Sequence, residues 1–164
     1  THCLSKNVDS GIRYLIDYEN KQTSQGGDSS HHKTIVAKNV FVFKSAAFNQ
    51  LAEFHVVPKT IFSGMMKMML PNHVQSQLTT CSTSFNKQYD VFSVSPDTTK
   101  LEQLFHADMQ SFLLDNQQLE VSCEQGVLTM SQKRGKASFF APKEYEQFEQ
   151  TGIELSSILL ALQA

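Results

Sequence analysis

The order in which two kinds of hydrophobic periodicity follow each other is the feature that most limits the fold of this chain. Segments with alternating or β-branched and aromatic residues dominate up to residue 94. Helical spacing of apolar residues comes later, over 97–115 and 142–163, with a hairpin pattern between them. Strict strand–helix alternation, as in a doubly wound parallel sheet, is missing. The order therefore predicts an α+β fold, a mainly antiparallel sheet with two principal amphipathic helices packed on it.

The predicted sheet consists of strands at 11–18, 33–44, 53–57 and 88–94 and a hairpin at 119–123 and 127–131, with 137–140 as an extension. A polar, glycine-containing loop at 20–32 joins the first two strands as a hairpin. The second strand ends in the continuous apolar run 40–43. Such a run predicts burial on both faces of the strand at that point.

Two apolar stripes define the predicted helices. The first helix, 97–115, opens at Ser95-Pro96-Asp97, and its buried stripe is Leu101, Leu104, Phe105, Met109, Phe112 and Leu113. The second opens at Pro142 and buries Tyr145, Phe148, Leu155, Ile158, Leu159 and Leu162, with Gly152 interrupting its middle. Its polar face is acidic, whereas membrane-surface helices carry Lys and Arg there. We therefore expect it to dock on the protein's own sheet.

The length and net charge of the chain limit the functional classes to which it can belong. The 164 residues predict a single α+β domain, 1–164, and the start at Thr1 is compatible with a fragment of a longer membrane-anchored protein. Because the formal net charge is −2, the chain lacks the basic footprint of nucleic-acid binding proteins. No secretory signal or membrane-spanning pattern is visible in the sequence.

No catalytic motif is recognisable, and no metal or cofactor is expected, because ligand spacings, P-loops and dinucleotide fingerprints are missing from the sequence. The weak catalytic candidates are Cys81, in a polar stretch, with His55 or His106 as its base. The methionine-rich segment 62–70 predicts a core plug, or alternatively a site for a small apolar ligand lined by Phe62, Met65, Met66 and Met68.

The order of several short motifs resembles a known group of proteins. The motifs are Asp17-Tyr18, Lys33-Thr34-Ile35-Val36, Phe54-His55-Val56-Val57-Pro58-Lys59, the stretch 85–92, Asp97 and Leu104-Phe105. This series is similar to the soluble C-terminal domain of a group of uncharacterised bacterial membrane-anchored proteins. Asn20, where a tyrosine is usual, and Val36-Ala37, without a glutamine, depart from that pattern. The resemblance implies a soluble domain on the cytoplasmic face of the bacterial inner membrane, held there by an N-terminal segment.

These observations lead to one expected function and two alternatives. We expect a non-enzymatic interaction or regulatory domain of a bacterial membrane-associated protein, with a protein as its partner. The first alternative is a hydrolase-like enzyme that uses Cys81 with a histidine. The second is a small apolar-ligand binder at the segment Met65–Met69.

Overall fold

The computed structural model describes the backbone of residues 2–8, 10–25, 31–59, 74–76, 78–94, 98–134 and 142–162. The strands in these ranges are β1 (His2–Val8), β2 (Gly11–Gln25), β3 (His31–Lys44), β4 (Phe54–Pro58), β5 (Val74–Ser76), β6 (Tyr89–Ser93), β7 (Leu119–Glu124) and β8 (Val127–Arg134). The helices are a 3-10 helix (Ala46–Gln50), α1 (Thr83–Gln88), α2 (Thr99–Leu104), α3 (Ala107–Asp115) and α4 (Pro142–Ala161).

The eight described strands form one sheet in the order β1-β2-β3-β8-β7-β4-β6-β5. Each described pairing is antiparallel. The α+β class and the antiparallel sheet predicted from the sequence are thus confirmed. The hairpin of β2 and β3 is longer than predicted, since its strands reach Gln25 and restart at His31. The predicted strand 137–140 lies outside the described residues.

One face of the sheet carries the hydrophobic core. In register across β2, β3, β8, β7 and β4 lie Leu15, Phe41, Met130, Val121 and Val56. All five belong to one buried cluster that also contains the buried residues of α1, α2, α3 and α4. Edge-to-face packing of Phe54 on Phe105, with ring centroids 5.4 Å apart, joins the sheet to the helices.

The predicted helix 97–115 is in fact two helices. Its apolar stripe is buried as expected, with Phe105 at 0% exposure. However, α2 ends at Leu104 with Phe105 as its C-cap, and the extended backbone of His106 caps the start of α3, so the prediction of a single helix through this point was wrong. The Gln110 amide donates to the freed carbonyl of Phe105 at 2.7 Å. This hydrogen bond satisfies an acceptor that would otherwise be buried without a partner at the break.

The C-terminal helix packs on the protein's own core, as predicted. Leu155 and Leu159 are fully buried, whereas Leu162, predicted to be buried, is 38% exposed. The helix runs without interruption through Gly152. A Cβ atom at this position would lie 2.4 Å from the ring of Phe41. Glycine therefore allows the helix backbone to approach the sheet closely.

Burial on both faces occurs in a different strand from the one predicted. In the run 40–43, Phe41 and Phe43 are buried, but Val40 and Val42 on the other face are half-exposed. All five residues of β6 are buried instead. The sequence of β6, with two polar and three apolar or aromatic residues, does not predict burial on both faces. The burial of this strand results from the elements packed around it.

Candidate partner-binding groove

The first candidate from the sequence, Cys81, lies in an environment that opposes nucleophilic chemistry. Its side chain belongs to the buried cluster. Desolvation by burial, and then the negative charge of Glu102, raise the pKa of the Cys81 thiol to about 11. Since the thiolate is the nucleophilic form, burial keeps Cys81 in its unreactive thiol form at neutral pH.

The two candidate histidines have other contacts. His55 is half-buried on β4, and its Nε2 atom lies 2.7 Å from Glu124 Oε1. The His106 Nδ1 atom lies 3.1 Å from the Leu104 carbonyl oxygen. Within the described part of the chain, neither histidine forms a hydrogen bond with Cys81. The structure thus does not bring the predicted pair together.

The proposed ligand-binding residues Phe62, Met65, Met66 and Met68 lie outside the described residues. Among the residues that are described, no three His, Cys, Asp or Glu side chains come close enough to share a metal ion. No helix in the same ranges is long and apolar enough to cross a membrane.

A groove opens on the core face of the sheet, between α4 and the edge strand β1. It encloses about 270 Å³ and is lined by Leu4, Ser5, Lys6, Arg13, Tyr14, Leu15, Phe41 and Glu149. Its floor is the inner end of the row formed by Phe41 and Leu15. Leu4, the next residue in that row, is 67% exposed. The hydrophobic core therefore continues to the sheet edge, and no helix among the described residues covers its last side chain.

The strand beside the groove is an open edge in the described structure. β1 pairs with β2 over its full seven residues, and it stands at the end of the strand order. Residues 3–7 are exposed. Edge strands are usually protected by shortness, proline, bulges or several charges. β1 has a single lysine, no proline and a continuous register, so its outer backbone groups are available for pairing.

A tight turn fixes β1 against β2. The two strands are separated by two residues, and Val8 pairs with Gly11 across them. Gly11 has a φ of 153°, and a Cβ atom there would lie 2.0 Å from the Lys44 carbonyl oxygen on β3. Only glycine fits this position without displacing the neighbouring strand. The turn therefore holds the edge strand in a defined register beside the groove.

Two cations face each other at the mouth of the groove. Lys6 and Arg13 are direct partners in the β1–β2 ladder. The nearest described carboxylate, Glu149 of α4, lies 4.0 Å from Arg13 Nη1, at the outer limit for an ion pair. The Nε atom of Arg13 is buried and has no hydrogen-bond partner in the described part of the chain. The groove therefore contains more positive charge and more donor groups than its own residues satisfy.

The sequence prediction did not find this groove, because β1 was not recognised as a strand. Its residues, HCLSKNV, show little alternation, and its exposure removes the apolar signal. A usable signal does follow β1, because the turn-favouring residues Ser10 and Gly11 stand directly before the strong strand pattern. Comparison of the chain with protein-family models, with curated proteins and with solved structures gives no match.

Proposed function

We propose that this protein is a non-enzymatic interaction or regulatory domain of a bacterial membrane-associated protein. We further propose that it binds an extended segment of a protein partner along β1. The association with a bacterial membrane rests on the sequence resemblance. The mode of binding rests on one observation, the unprotected edge strand beside an apolar groove.

The physical basis is β-strand addition. A partner segment would form main-chain hydrogen bonds with the free edge of β1, while alternate side chains would enter the groove. The exposed Leu4, beside the buried apolar floor of the groove, offers apolar area to such a segment. The rigid sheet behind β1 is already formed, so little ordering of the domain would be required.

An enzymatic function has less support. The raised pKa of Cys81 opposes the hydrolase-like alternative, as does the absence of a hydrogen bond between Cys81 and either His55 or His106 in the described part of the chain. The groove at β1 has no nucleophile paired with a base among its lining residues. Binding is therefore the activity that the described residues favour.

Selection from a library of displayed nine-residue random peptides tests this function. The strongest binder would be synthesised and titrated into the isotope-labelled protein. We expect backbone amide signals of β1, and of the groove-facing turn of α4 around Glu149, to shift. Peptides that shift only signals elsewhere, or a library without binders, would contradict the proposal.

Backbone methylation of the selected peptide provides a matched control. In a strand, the amides of alternate residues point to opposite edges. Methylating one alternate set should abolish binding, whereas methylating the other set should leave the affinity within about twofold. Equal effects of the two sets would exclude pairing with β1.

A further inference from the structure

We infer that the segment recognised by the groove presents an apolar side chain beside Leu4 and an acidic side chain, two residues away, beside Lys6 and Arg13. This inference rests on the proposed function, because it requires a segment paired with β1. The partner is thus an acidic, extended stretch of protein rather than a purely apolar one.

Lys6 and Arg13 form an unfavourable charge pair in the β1–β2 ladder. Like charges directly opposite each other on neighbouring strands are destabilising. Lys6 and Arg13 stand in this relation, and Glu149 lies only at 4.0 Å from one of them. A carboxylate placed beside Lys6 would lie within reach of both cations and would relieve their repulsion.

A buried donor of Arg13, its Nε atom, lacks an acceptor in the described part of the chain. A buried donor without a partner is costly, and a guanidinium is the side chain best suited to bind a carboxylate through two parallel hydrogen bonds. Arg13 has its Nε atom buried and unpaired among the described residues, and its side chain is 17% exposed. An incoming carboxylate can reach the exposed part of this side chain, and a small shift of the guanidinium toward it would satisfy the Nε donor in a partly desolvated place, where charge-assisted hydrogen bonds are strong.

The register of β1 sets the distance between the two side chains that a partner segment would present. Leu4 and Lys6 lie on the same face of β1, two residues apart. Leu4 continues the apolar row of Leu15 and Phe41, whereas Lys6 continues the row of Arg13. A strand added to β1 would extend the same rows. Its side chains beside Leu4 and Lys6 would therefore also be two residues apart, one apolar and one acidic.

A second copy of the chain is a poorer occupant of this edge. Self-pairing of two β1 strands would bring two lysines to the shared edge, and β1 contains no aspartate or glutamate. The cations would then gain no counter-charge. Charge complementarity therefore favours a different, acidic segment.

The test uses seven-residue acetylated peptides with leucine and glutamate two positions apart in a threonine background. Two matched peptides carry glutamine or lysine in place of the glutamate, and another places the two residues three apart. Binding would be measured by fluorescence anisotropy. We expect the glutamate peptide to bind about tenfold or more tightly than the glutamine peptide, with the lysine and misplaced peptides weaker still.

The protein variants complete the design. Lys6→Glu should weaken binding of the glutamate peptide and strengthen binding of the lysine peptide. Lys87→Glu, at an exposed position of α1, makes the same charge change away from the groove and should alter neither affinity by more than about twofold. Arg13→Gln should also weaken the glutamate peptide, and the exposed Lys6 variant preserves the test if Arg13→Gln fails to fold.

Each outcome is decisive. Equal binding of the glutamate, glutamine and lysine peptides, with shifts at β1, would overturn this inference and leave the proposed function intact. Failure of these peptides together with failure of the library would overturn both. Concentration-dependent dimerisation that Lys6→Glu strengthens, seen by sedimentation, would assign the edge to a second copy and would also overturn the inference.

Discussion

The two ends of the sheet differ in how far their residues are buried. The covered end consists of β4, β6 and β7 with α1, α2 and α3. There all five residues of β6 are buried and Phe105 is packed between two aromatic rings. At the open edge, formed by β1 and β2, residues 3–7 are exposed and Leu4 extends the core row into solvent. The contrast indicates that the covered end provides stability, whereas the open edge exposes the side chains of β1 in the described structure.

Truncations at the two ends of the chain should differ most in their effect on stability. Removing residues 155–164 deletes the fully buried Leu155 and Leu159, so we expect a loss of about 5 kcal/mol or more and an unfolded protein. Removing residues 1–9 deletes an exposed strand and should leave a cooperative thermal transition. Circular dichroism during heating measures both, and loss of folding on removal of β1 would contradict the contrast.

Single substitutions sharpen the same difference. Phe105→Ala should lower the free energy of unfolding by about 3–5 kcal/mol, because it opens a cavity between Phe54 and Phe85. Leu4→Ala should lower it by less than about 0.5 kcal/mol, since the side chain is already 67% exposed. Urea denaturation gives both values. Similar losses for the two variants would show that the edge contributes to the core.

Asn39 lies between the two regions and should behave unlike other buried amides. It is 1% exposed, and both polar atoms of its side chain lack partners in the described part of the chain. We expect Asn39→Leu to raise the free energy of unfolding by about 1 kcal/mol, because it removes an unsatisfied buried amide with little change in volume.

Gln110 is the matched control for Asn39. It is also buried, but its amide accepts from the Ser82 backbone N–H and donates to the Phe105 carbonyl. Gln110→Leu should therefore lower the free energy of unfolding by about 1–3 kcal/mol. Changes of the same sign in the two variants would show that Asn39 is satisfied, for example by a buried water molecule.

The smallest expected effect is on the alkylation rate of the Cys81 thiol, and this measurement tests the enzyme alternative. Cys81 is buried and its pKa is raised to about 11, so its thiolate fraction rises about tenfold per pH unit between pH 7 and 9. Iodoacetamide at pH 8 should therefore modify the exposed Cys3 well before Cys81, as followed by peptide mass mapping. A Cys81 rate that equals that of Cys3 and levels off below pH 8 would favour the hydrolase-like reading.

The sequence predicted those parts of the fold whose signal is local. The burial of Leu101, Leu104 and Phe112 followed from helical spacing, and the hairpin of β7 and β8 followed from its turn residues. The break at Phe105 was missed, because the apolar spacing continues across it while the backbone changes direction. The residue that caps α3 is His106, which is not a preferred capping residue, so the sequence contained no signal for a helix start there.

The candidate groove could not be predicted, because its residues come together only when the strands pair. Lys6 and Arg13 are ordinary charged residues until the β1–β2 register sets them opposite each other. Glu149 is one of several acidic residues of the last helix, and only the register of that helix against the sheet brings it near Arg13. Long-range register of this kind has no signature in a short sequence window.

The pairing of β3 with β8 has a consequence for how the chain folds. The strands β1, β2 and β3 follow each other as neighbouring hairpins, so they can form early during synthesis. The partner of Lys44 is Val127 and that of Ala37 is Arg134, so the other edge of β3 stays open until most of the chain has been made. Contacts between such distant parts of a sequence slow folding and expose unpaired edges to aggregation. We therefore expect the nascent N-terminal meander, with Phe41 and Phe43 uncovered, to be the species on which a chaperone acts.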